Sequence, residues 1–163
     1  MKVRAKVAVL PKEGFMLDVV DLELPAPGPH EVLIKQFASG VCHSQLHTMH
    51  RPREVPMVLG HESTGEVLEV GQEVPHVSPG DRVMVTWVPR NAQHGGRYAG
   101  VPQLQLPTGE AIVCSNVFTW ADHTLADEQY VVKLDDDVDR LTTSIIGCAV
   151  MTGAGAVENS ADV

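Results

Sequence analysis

Hydrophobic and polar residues alternate from the start of the chain. KVRAKVAVL (2–10) is rich in Val and switches sides at every position, the period-two pattern of a half-buried β-strand. PKEG (11–14) is a turn, and FMLDVVDLEL (15–24) returns as a second strand with Leu17, Val19 and Leu22 set among polar residues. A proline-stiffened loop, PAPGPHE (25–31), leads to a third strand, VLIKQFASG (32–40). After Gly40 the run SQLHTMH predicts a short helix opened by Ser44 as N-cap. TGEVLEVG (64–71) is an alternating strand ended by Gly71, SPGDRVMVTWV (78–88) is a turn entering a strand, and EQYVVKL (128–134) is a further strand. VDRLTTSIIGCAVMTGAGAVEN (138–159) reads as helical on both sides of Gly147, with Leu141, Ile145 and Ile146 at near-helical spacing. Residues 89–116 break the periodicity. They are rich in Gly, Pro, Asn and Gln and predict a long surface excursion with one hairpin around Pro107–Gly109. Strands come first and helices late, which predicts a mainly β, barrel-like domain over residues 1–163 rather than an alternating βαβ sheet.

Composition narrows the functional classes. The 163 residues suffice for one domain and its core, and with only 4% aromatics that core must be filled by Val, Leu, Ile and Met. A formal net charge of -9 argues against nucleic acid and anionic membranes as partners, because phosphates are repelled. No apolar run approaches the length of a membrane span. The N-terminus is basic and then apolar, but Lys6 interrupts the run, Pro11 follows and no small-residue cleavage site appears, so it reads as a strand and not a signal peptide. Three widely spaced cysteines, Cys42, Cys114 and Cys148, are not a disulfide framework; they fit free or metal-binding thiols in a reducing cytoplasm.

The chemistry-bearing residues concentrate at a few points. GVCHSQLH (40–47) offers Cys42, His43, Ser44, Gln45 and His47 within six positions. His61 lies in a Gly-flanked turn, VLGHESTG, and Cys148 follows Gly147 among small residues. Thiolates and imidazoles are the usual ligands of zinc. The His61–Glu62 pair suggests a metalloprotease helix, but position 65 is Gly where that motif needs a second His. Taken singly, a Cys in an apolar segment is more often a small buried hydrophobe and a turn His a solvated side chain. Cys114, with no close partner, keeps that reading, and His76, His94 and His123 read as surface residues.

Three segments in order change the balance. GHESTGEVLEVGQEV (60–74), followed by PGDRV (79–83), resembles the signature of zinc-dependent medium-chain alcohol dehydrogenases. GVCHSQLH resembles that family's G-[IV]-C-[HR]-[ST]-D-x-H segment, and GCAVMTGAGAV (147–157) its GC-x-x-x-TG-x-GA helix. The resemblance implies a GroES-like (chaperonin-10-like), partly open β-barrel with a few short helices, its C-terminal helix leading toward a Rossmann domain. It implies Cys42, His61 and Cys148 as ligands of one catalytic zinc, the Cys₂His set of this enzyme class. Glu62 would lie just behind the ion. Ser44 would pass the alcohol proton to His47, His43 would face the pyrophosphate of NAD(P), and Thr152 would line the nicotinamide end. Small alcohols or aldehydes are the implied substrates, and homo-oligomer formation is open.

The chain departs from that pattern in three places. Position 45 is Gln where the family carries an Asp that orients the His ligand; Gln45 is expected to accept a hydrogen bond from His61 through its carbonyl without adding charge. Region 89–116 holds Cys114 alone, so the family's four-cysteine structural zinc is not expected, and the lobe should be shorter, held by ordinary packing, or mobile. No G-x-G-x-x-G occurs, and the sequence stops at AVENSADV, where a dinucleotide-binding domain is expected to follow. The expectation is a chain that binds zinc but needs a further half for hydride transfer. Two other readings stand beside it: a non-catalytic GroES-like interaction module, and a zinc-free quinone-reductase-like relative. Thr48, Trp87 and Trp120 are candidate walls of a substrate pocket.

Overall fold

The computed structural model describes residues 2–90 and 97–161. Along the chain run β1 (Val3–Leu10), β2 (Asp18–Leu24), β3 (Glu31–Ser39), α1 (His43–Met49), β4 (Met57–Val58), β5 (Ser63–Val70) and β6 (Arg82–Val85). They are followed by β7 (Leu104–Gln105), β8 (Ala111–Ile112), β9 (His123–Asp127), β10 (Val131–Lys133) and α2 (Met151–Asn159). The strands form a three-stranded sheet, β2-β1-β4, a five-stranded antiparallel sheet, β10-β6-β5-β3-β9, and the small hairpin β7-β8. A bridge from Val7 to Ala121 curls the two larger sheets toward each other. This is the mainly β, barrel-like domain that the pattern predicts, partly open as the resemblance implies.

The alternation in β1 has a direct cause. Ala5, Val7 and Val9 are buried, while Arg4 and Lys6 face solvent and pair with Asp21 on β2. The central strand β3 differs: Val32, Leu33 and Ile34 are all buried, because core residues cover both of its faces. Leu33 joins Val7, Leu22, Phe118 and Leu125 in one cluster, and Val32 and Ile34 join Val67, Val83 and Val85 in the other. Two hydrophobic cores thus grip one strand, whose far end carries Gly40 and Cys42.

Several boundaries differ from the sequence pattern. The second strand begins at Asp18 and not at residue 15, since Arg53 bonds the carbonyls of Pro11 and Gly14 and holds that loop clear of the sheet, leaving Phe15 and Met16 exposed. Strand β9 carries no alternation to find, because Thr124, Leu125, Ala126 and Asp127 are all buried. Residues 128–130, expected as strand, form a 3₁₀ turn capped by Asp127, whose carboxylate accepts from Gln129 N–H at 3.1 Å. The helical stretch 138–159 is three pieces: a 3₁₀ turn (Thr142–Ile145), a π turn (Ile146–Val150) and α2. The hairpin around Pro107–Gly109 is present as β7-β8, and Gly109 takes the positive φ its turn requires.

The excursion is anchored by charge. Arg97 forks onto Asp127 at 2.7 and 2.9 Å, and Gly100 N–H adds a third bond to the same carboxylate. His76, expected at the surface, is half-buried: Nε2 meets Val131 O at 3.0 Å and Nδ1 lies 3.5 Å from Glu128. His123 is also half-buried, its Nδ1 2.9 Å from Asp122. The expectation for His94 lies outside the described residues. Among the described residues no helix is long and apolar enough to cross a membrane.

Candidate metal centre

The end of β3 is fixed before α1 begins. Ser39 Oγ bonds Glu62 O at 3.0 Å and Thr119 Oγ1 at 2.8 Å, Gly40 N–H donates to Glu62 O, and Trp120 Nε1 donates to Gly40 O at 3.1 Å. Gly40 must lack a side chain here, because a Cβ would collide with the Glu62 carboxyl. Cys42 then caps α1 with extended backbone. This corrects the expectation for Ser44, which sits inside the first turn. Gln45 decides it, reaching back so that its Oε1 accepts from Cys42 N–H at 2.9 Å.

His61 enters from the turn before β5. Gly60 has φ +94°, and a Cβ there would strike Thr119 and the backbone of Trp120. The turn is held by Leu59 O, which accepts from Thr119 N–H and Trp120 N–H. Cys148 comes from the π turn, a local widening of helix that recurs at functional sites. That turn is seated on β6: Thr86 Oγ1 donates to Gly147 O at 2.8 Å, and a Cβ on Gly147 would press on Val85 O.

One sulfur of Cys42, one of Cys148 and one ring nitrogen of His61 all lie within 4.8 Å of one another. The two sulfurs are 3.9 Å apart, and two thiolates on a tetrahedral zinc at about 2.3 Å stand ~3.8 Å apart. His61 Nε2 is buried without a hydrogen-bond partner. A buried polar atom with no partner is costly unless something binds it, so the donor set fits a zinc ion. Glu62, 1% exposed, accepts Ala149 N–H at 3.2 Å through Oε2.

Electrostatics sort the two thiols. Hydrogen bonds from the Ser44 hydroxyl and N–H lower the Cys42 pKa, while burial, the Cys42 sulfur and Glu62 raise that of Cys148. Burial lowers the His61 pKa against a smaller opposing pull from Glu62, which leaves a neutral ring fit for coordination.

The other expected residues fall as follows. Ser44 Oγ donates to Cys42 Sγ at 3.3 Å and not to His47. His43 and His47 are exposed and face each other, Nδ1 to Nε2, at 3.2 Å. Thr152 is the second residue of α2, and its side chain lowers the Cys148 pKa against the larger raising effect of burial. Gln45 meets His61 Nδ1 at 3.1 Å through its NH₂ and not its carbonyl, the reverse of the expected orientation. A cavity of about 350 Å³ opens above the cluster, with Thr48 and Trp87 in its wall. Trp120 is instead part of the packing, its indole N–H spent on Gly40 O. Sequence reasoning missed Asn116 and Val117 in that wall. Asn116 Nδ2 donates to Trp87 O at 3.2 Å, and no periodicity marks a contact made by a loop returning through the fold.

Residues 28–136 match the alcohol dehydrogenase GroES-like domain family. An alcohol dehydrogenase of Moraxella sp. is 33% identical over 155 residues, covering 90% of this chain and 45% of that protein. An S-(hydroxymethyl)glutathione dehydrogenase of Escherichia coli is 32% identical over 186 residues, covering 100% of this chain and 50% of its own. Among solved structures, an alcohol dehydrogenase zinc-binding domain protein from Burkholderia ambifaria superposes with TM-score 0.85 at 28% identity, over 98% of this chain and 50% of its own. Benzyl alcohol dehydrogenase from Acinetobacter calcoaceticus superposes with TM-score 0.78 at 27% identity, over 99% and 49%. The chain spans about half the length of the curated relatives it matches.

Proposed function

This chain belongs to the alcohol dehydrogenase GroES-like domain family, and on that premise we propose that it is the zinc-binding catalytic domain of an NAD(P)-dependent alcohol dehydrogenase. Cys42, His61 and Cys148 hold one zinc ion. The observation that carries this reading is the meeting of two sulfurs and an unpartnered imidazole nitrogen beneath a cavity, from positions as much as 106 residues apart. A purely structural barrel has no use for such a set.

A zinc ion at this site supplies Lewis acidity, lowering the pKa of an alcohol hydroxyl toward neutrality. The chain's own residues do the remaining work. Val58, Leu59, Val117 and Trp87 line the cavity, exclude water and hold the carbon skeleton of the substrate. The Ser44 hydroxyl also lines the cavity. It takes the alcohol proton and delivers it to His47, whose exposed ring releases it to solvent. This step requires Ser44 to turn from Cys42 Sγ, and His47 to leave His43. Glu62 keeps the π turn in place through Ala149. His43 is assigned to the pyrophosphate of NAD(P) and Thr152 to its nicotinamide end. Because the relatives are about twice as long, hydride transfer to NAD(P) is assigned to the complete enzyme, its cofactor held mainly by sequence outside these residues. Free thiols suit a cytoplasmic setting.

Elemental analysis tests the proposal. The purified protein should carry one zinc per chain, and Cys148→Ala should lose it while remaining folded by circular dichroism. A folded protein that takes up no zinc overturns the reading.

A further inference from the structure

Gln45 is 4% exposed and stands between two polar atoms of the metal centre. Its Oε1 is 2.9 Å from Cys42 N, and its Nε2 is 3.1 Å from His61 Nδ1. A backbone N–H only donates, so the carboxamide oxygen must be the atom facing Cys42. The NH₂ is then left against His61, and it too only donates. Nδ1 must answer with its lone pair, and a neutral imidazole with a bare Nδ1 carries its proton on Nε2. Nε2 is the ring atom left buried without a partner. A metal there needs it deprotonated, with the proton on Nδ1.

We propose that Gln45 is a positioning residue that holds metal-free His61 in the Nε2–H tautomer, so that metal entering between Cys42, His61 and Cys148 must move that proton to Nδ1 and break one of the two Gln45 bonds. This rests on the zinc reading above. Once Nδ1 bears the proton, the only acceptor Gln45 can offer it is the oxygen now held by Cys42 N–H. Turning the amide sets its NH₂ against that N–H, two donors facing each other out of water, and removes the bond that caps α1. One carboxamide oxygen cannot serve two donors in opposite directions; a carboxylate can. The site is therefore an exchangeable one, binding its metal less tightly than the same ligands would with a carboxylate at position 45.

The test is a long-range ¹H–¹⁵N NMR spectrum of reduced, metal-free protein at pH 8, with His61 assigned by its absence in His61→Gln. The ring should show the Nε2–H pattern in the native protein and the Nδ1–H pattern in Gln45→Glu. Zinc affinity by chelator competition should rise about 10–100-fold in Gln45→Glu, the range for outer-shell partners of a metal ligand. A native ring that is Nδ1–H or doubly protonated overturns the proposal, as does a Gln45→Glu ring that stays Nε2–H. The native spectrum decides alone if the variant does not fold. Failure of both proteins to bind zinc, with the tautomers as expected, overturns the zinc reading and leaves the role of Gln45 standing.

Discussion

Glu62 and Ala149 are joined across 87 positions of the chain, the buried carboxylate accepting the backbone N–H at 3.2 Å. Each residue directly follows a candidate ligand, His61 and Cys148. The bond therefore couples the turn before β5 to the π turn. Glu62→Leu removes this charged acceptor and should cost about 1–3 kcal/mol in urea unfolding, with zinc affinity falling about 10–100-fold. Glu62→Gln keeps a carbonyl acceptor and should cost less on both counts. Equal effects of the two substitutions would mean that the bond does not couple the turns.

Gly60 and Gly80 make a controlled pair. Both have φ above +90°, but a Cβ on Gly80 meets open space, whereas one on Gly60 strikes Thr119 and Trp120. Gly80→Ala should cost about 1–2 kcal/mol from the left-handed conformation alone. Gly60→Ala should cost a further ~1–3 kcal/mol from overpacking and move His61 with it, visible as weakened zinc binding. Zinc binding reduced equally in both variants would contradict the placement of His61 by this turn.

Asp127 governs the acid limb of stability. Burial pushes its carboxyl pKa up, but the hydrogen bonds from Arg97, Gly100 and Gln129 outweigh that and hold it below the ordinary value of 3.8. A depressed carboxylate stabilises the fold above its unfolded pKa, and that contribution is lost as pH falls through the folded value. Stability should thus decline from about pH 4 downward. Asp127→Asn should be about 2 kcal/mol less stable at pH 7 and decline less steeply below pH 4. Parallel acid limbs would rule the anchor out.

The three thiols should react in a definite order. Burial pushes the Cys114 pKa up to about 12, while the Ser44 hydroxyl and N–H lower that of Cys42. At pH 8 the thiolate fraction of Cys114 is about a thousandfold below that of an ordinary cysteine. Iodoacetamide on reduced, metal-free protein should alkylate Cys42 first, and Cys114 only on unfolding, as read by peptide mass spectrometry. Cys114 modified as fast as Cys42 would contradict this.

Much of the fold was legible because much of it follows a single rule. Strand β1 alternates because one of its faces is wet, whereas β9 is covered on both sides and has no alternation to read. The three family-like motifs pointed to Cys42, His61 and Cys148, and the fold brings them within 4.8 Å of one another. Spacing alone could not pair residues that meet only through tertiary structure. Ser44 looked like a cap by residue type, yet Gln45 gives that role to Cys42 by reaching back to its N–H. The orientation of Gln45 against His61 was hidden for the same reason, since a backbone donor that leaves no mark in the sequence claims its oxygen. Trp87 and Asn116 come together by a loop return, which no periodicity encodes.

Zinc-edge X-ray absorption on the loaded protein reads the atoms bound to the ion. Two sulfurs at about 2.3 Å and one imidazole nitrogen at about 2.0–2.1 Å are expected, with a fourth light atom from solvent. A shell of four sulfurs, or one with none, would contradict this ligand set.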